Sequence, residues 1–88
     1  MRLKYNFVVN QVGDDFVAIP AGAQVIDFTG ILKLNETAAF IVEALNNDLS
    51  RDDLVKTVAQ KFSCALEDAQ ENVDYILGGL REAELIIE

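Results

Sequence analysis

Apolar residues change their spacing once along this chain of 88 residues, at Leu34-Asn35. Before that point they sit in short β-branched and aromatic blocks. After it they recur every three to four residues. A period near 2 suits a half-buried strand and a period near 3.6 suits an amphipathic helix, and neither element accommodates the other's pattern. The chain therefore divides into a sheet-forming half and a helical half. In the first half, Tyr5 to Val12 forms one run and stops at Gly13-Asp14-Asp15. Phe16 to Ile19 forms a second and stops at Pro20-Ala21-Gly22. Val25 to Leu34 forms a third, alternating at first and then meeting Gly30, a bulge or bend signal. Two short turns join three runs, so an antiparallel meander is the economical arrangement.

The helical half carries its own punctuation. Asn35 can cap a first helix through its side-chain oxygen, and Thr37, Ala38, Ile41, Val42 and Leu45 follow at helical spacing. Asn46-Asn47-Asp48 ends that helix. Ser50 and Asp53 resemble a capping box, with Asp in place of Glu or Gln. Leu54, Val55, Val58, Ala59 and Phe62 form the stripe of a second helix. A third begins near Ala65 or Leu66, carries Leu66, Ala69, Val73, Ile76, Leu77 and Leu80, and ends near Ala83. The apolar tail Leu85-Ile86-Ile87 is expected to fold back. The expectation is one α+β domain over residues 1–88: a three-stranded antiparallel β-meander followed by three α-helices, a winged-helix-like layout.

Charge and composition exclude several functions. Lys and Arg total 7 and Asp and Glu total 15, a net charge of −8. Residues 1–34 sum to zero, so the helical half carries all of it. A winged-helix DNA-binding or transcriptional regulator module fits the element order, but phosphate binding needs the opposite sign. An acyl-carrier role needs an Asp-Ser-Leu string, and the closest here is Asp48-Leu49-Ser50. There is no His and one Cys, which removes Cys/His zinc sites and His-dependent nucleophilic devices. No catalytic or metal-ligating residue is assigned, and no cofactor is expected. No segment approaches the roughly 18 consecutive apolar residues of a membrane span. The N-terminus lacks the long apolar run of a signal peptide. A reducing cytoplasm is the simplest location, and neither nucleic acid nor membrane is an expected partner.

One stretch is more specific. Leu32-Lys33-Leu34-Asn35-Glu36-Thr37-Ala38-Ala39-Phe40-Ile41 resembles the LNxTxxxIW signature of the PqqD family, the pyrroloquinoline quinone synthesis D proteins. Asn72-Val73-Asp74-Tyr75-Ile76-Leu77-Gly78-Gly79-Leu80 looks like that family's third-helix pattern. The chain departs from the pattern at Val42 (usually Trp), Asn72 (Asp) and Glu84 (a small turn Gly), as a divergent standalone member would. The resemblance implies a non-catalytic peptide-binding module, a RiPP recognition element. Such modules hold the leader of a ribosomally made precursor peptide and present it to a modifying enzyme, often a radical SAM protein. In the family the leader adds as a strand beside the third strand, in a groove shared with the third helix.

Carried to this chain, the expected peptide-binding residues are Val25, Ile26, Asp27, Phe28, Ile31, Leu32 and Lys33 on the strand. On the helix they are Asn72, Tyr75, Ile76, Gly79 and Ala83. The residues permit such a site. An edge strand offers unpaired backbone groups to an added chain. At roughly 100° per residue, Val73, Leu77 and Leu80 face the core while Asn72, Ile76, Gly79 and Ala83 share one flank. Gly78-Gly79 has two readings: a backbone passing close by, or drift and a helix break at Gly78. Tyr75 is a binding anchor or an ordinary surface aromatic. Phe28, Ile31 and Leu34 are read as core more than groove, with one able to serve both, and Cys64 is read as a small buried apolar residue. Glu67, Asp68, Glu71 and Asp74 form a solvated face, or meet basic groups of a leader or enzyme. An unpaired edge would also allow a homodimer.

Overall fold

The computed structural model describes residues 1–21 and 32–87. Val25, Ile26, Asp27, Phe28 and Ile31 lie outside the described residues, as does most of the third predicted strand. The elements run β1 (Arg2–Leu3), β2 (Phe7–Val12), β3 (Asp15–Pro20), β4 (Leu32–Leu34), α1 (Glu36–Ala44), α2 (Arg51–Phe62), α3 (Leu66–Glu82) and β5 (Ile86–Ile87). The meander is present as the antiparallel sheet β2-β3-β4, followed by three helices. The protein is thus α+β with the predicted order. No helix among the described residues is long and apolar enough to cross a membrane.

The β2–β3 hairpin closes through Gly13-Asp14, with Val12 paired to Asp15. Gly13 has φ +63° at the first loop position, where a two-residue hairpin favours glycine. Register places Phe16 opposite Leu34, Val17 opposite Lys33 and Ala18 opposite Leu32. Alternation then sorts the faces. Phe7 and Ala18 are buried, while Val8, Val12 and Ile19 are exposed on the opposite face.

Both predicted helix starts are made. Asn35 Oδ1 accepts from Ala38 N–H at 2.8 Å, and Ser50 Oγ accepts from Asp53 N–H at 3.1 Å. The core joins Leu3, Tyr5 and Phe7 to Ile41, Val42 and Leu45 of α1, Leu54, Val55 and Val58 of α2, and Ala69, Val73, Leu77 and Leu80 of α3.

Several readings are corrected. Tyr5 is buried but lies in a bend before β2, because β1 forms instead a separate two-stranded sheet with β5. The tail folds back as expected, through Lys4 N–H donating to the Leu85 carbonyl at 2.7 Å. Pro20 ends β3 rather than following it; proline is tolerated at a strand end, where the missing N–H costs nothing. Leu66, the first residue of α3, is exposed rather than part of the buried stripe. Ala59, Phe62 and Cys64 are half-buried at the core's margin. The helix does not break at Gly78: α3 runs unbroken to Glu82.

Candidate functional site

Strand β4 and helix α3 flank an apolar depression of about 190 Å3. Leu34 closes it on the strand side, Val42 and Leu85 form part of its wall, and Tyr75, Ile76, Gly79, Leu80 and Ala83 line it from α3. Helical angle explains the α3 set, because residues three and four apart are neighbours on one face. The glycine matters sterically. A Cβ placed on Gly78 or Gly79 would meet nothing within 4 Å among the described residues. The surface there is open.

Tyr75 is 81% exposed. It stands between this depression and an adjacent hollow of about 420 Å3 lined by Asp74, Gly78 and Glu82 as well as Tyr75 and Gly79. Among the described strands β4 pairs with β3 alone. A strand with one such neighbour can hydrogen-bond an added strand along its other edge.

The structure thus brings Tyr75, Ile76, Gly79 and Ala83 together. It separates Asn72, which is exposed one turn before Ile76 and does not line the depression. Lys33 points elsewhere too. It lies 3.8 Å from Asp15, in a polar hollow at the hairpin end. Leu32 contributes backbone pairing to Ala18. Four lining residues were not among the expected site: Leu34, Val42, Leu80 and Leu85. Leu34 is half-buried, packs against the core and also lines the depression, so it serves both roles.

Asp74 lies on an exposed face and is paired within the chain. Arg51 donates to it twice, Nε to Oδ1 at 2.7 Å and a terminal guanidinium N–H to Oδ2 at 2.8 Å. These hydrogen bonds hold the Asp74 carboxyl below the usual carboxylate range, with partial desolvation opposing. The same bonds raise the Arg51 pKa. The pair staples the start of α2 to α3 immediately before Tyr75. Cys64 is a free thiol. Among the described residues no group of three His, Cys, Asp or Glu is placed to hold a metal.

A sheet edge beside a helix face, with an apolar depression between them, is a geometry that strand addition uses in peptide recognition. The family model for coenzyme PQQ synthesis protein D matches residues 20–86. The chain belongs to the PqqD family. A solved structure described as TbiB1 in complex with the TbiA(beta) leader peptide shares the fold, with a TM-score of 0.70. Identity is 15%, and the match covers 97% of this chain and 93% of that one. No curated protein shows a significant sequence match.

Proposed function

We propose that this chain is a non-catalytic leader-peptide-binding module of ribosomal peptide biosynthesis. An extended leader adds as a strand to the free edge of β4 and sets an apolar side chain into the depression formed with α3. Main-chain bonds supply affinity whatever the leader's sequence, and the pocket supplies selectivity. The observation that carries this reading is the apolar depression between β4 and α3 in a member of the PqqD family. The likeness of fold to TbiB1, itself bound to a leader peptide, supports it. The bound precursor is then passed to a peptide-modifying enzyme, a radical SAM protein in the reading the family favours.

Two variants test the groove. Gly79→Arg puts a long side chain into the depression from a position where the fold has room. It also removes a helix-interior glycine, which costs roughly 1 kcal/mol relative to a good helix former. Gly79→Arg is therefore expected to keep or raise the unfolding midpoint while weakening leader binding at least tenfold by fluorescence anisotropy. Ile76→Asp should weaken it similarly. Wild-type affinity in both variants would place the peptide elsewhere.

A further inference from the structure

A second depression lies where β2, β3, α1 and the end of α2 meet. It measures about 260 Å3. Phe16, Phe40 and Phe62 line it, each half-buried. Phe40 and Phe62 stand edge to face, with centroids 5.7 Å apart and planes at 87°. Glu36, Phe40 and Glu43 follow one face of α1 at helical spacing and also line it. Val42, part of the peptide groove, lies more than 90° around the helix from each of them at about 100° per residue. The two depressions have no lining residue in common.

Three observations say what this cleft accepts. First, Lys61 Nζ already sits 5.9 Å from the Phe40 ring centroid, within the roughly 6 Å at which a ring face attracts a cation. Second, neither Glu36 nor Glu43 is in an ion pair among the described residues. Third, the volume is below the roughly 300–1,000 Å3 of small-molecule sites, and suits one long side chain. Arginine combines a planar group that stacks on an aromatic face with a fork that matches carboxylates. Lysine, a compact hydrated charge, has neither the planar stacking surface nor the fork. The net charge of −8 draws basic surfaces toward the molecule.

We propose that this cleft is a docking socket for an arginine carried on the surface of a partner protein. Lys61 covers the Phe40 ring until that arginine displaces it, and Glu36 and Glu43 then pair with the guanidinium. The socket does not depend on the leader reading. Because the two depressions are separate, a peptide and a partner can be held at once.

The test is an amide NMR titration of the full labelled chain with a seven-residue serine-glycine peptide carrying one central arginine. A twin peptide with neutral citrulline serves as control. Saturable shifts at Val9, Phe40, Glu43 and Phe62 are expected at millimolar arginine peptide, with none from the twin. The Glu36→Gln, Glu43→Gln double variant should weaken binding at least fivefold. Lys61→Ala should tighten it about twofold, because the competing cation is gone. No shifts with the arginine peptide, equal shifts with the citrulline twin, or weaker binding in Lys61→Ala would overturn the proposal. Leader affinity, read on the β4–α3 groove, is a separate measurement, so either proposal can fail alone.

Discussion

At the scale of single residues, two positions do structural work that spacing alone conceals. Asn46 closes a two-way clamp on Phe7: its Nδ2 donates to the Phe7 carbonyl at 2.9 Å, and its Oδ1 accepts from Phe7 N–H at 3.1 Å. The side chain thus stands in for a neighbouring strand at the start of β2. Asn46→Ala removes both bonds, and loss of a partner by a part-buried backbone group costs about 1–3 kcal/mol. Urea denaturation should show a loss of about 2–4 kcal/mol, given partial rescue by water. The second position is Glu84, which turns the chain out of α3 at φ +58°. A non-glycine residue held there carries strain of order 1–3 kcal/mol, at a place where the family pattern has a small turn glycine. Glu84→Gly should raise stability by about 0.5–1 kcal/mol, after allowing for the greater freedom of glycine when unfolded. A lower midpoint would show that Glu84 makes compensating contacts.

At the scale of elements, the Arg51–Asp74 pair joins α2 to α3. Its folded-state Asp74 pKa is depressed, so the stability it contributes is present above the unfolded value, about 3.9. That contribution is lost as pH falls through the lower folded value. Asp74→Asn should therefore differ little from wild type below the folded pKa and be less stable at pH 7, a difference visible in paired thermal melts. Equal midpoints at pH 7 would make the pair energetically silent, as many exposed pairs are. Elements also show what was legible in the sequence. The caps at Asn35 and Ser50 could be read because their partners lie three residues away. Tyr75, Ile76, Gly79 and Ala83 could be gathered because helical angle alone unites them. Leu34, Val42 and Leu85 could not, since their meeting depends on how β4, α1 and the returning tail pack. The β1–β5 pairing joins Arg2 to Ile87, a separation no local pattern signals. The Arg51 partner of Asp74 was hidden for the same reason: it lies 23 residues away on another helix.

At the scale of the whole molecule, charge and shape are segregated. Residues 1–34 are neutral overall, while the helical half carries the net −8. The proposed peptide groove lies at the seam between them, with an apolar floor, and Asp74 and Glu82 line the hollow beside it. A leader that adds to β4 therefore binds through main-chain bonds and one buried apolar anchor, and salt changes its on-rate more than its residence time. The most direct measurement is an amide NMR titration of the labelled chain with leaders encoded by the short reading frames beside its gene. The account predicts that one of them shifts Leu32–Leu34 together with Tyr75–Ala83, and that Gly79→Arg abolishes those shifts in a folded protein. Shifts confined to other faces, or none with any of these leaders, would contradict it.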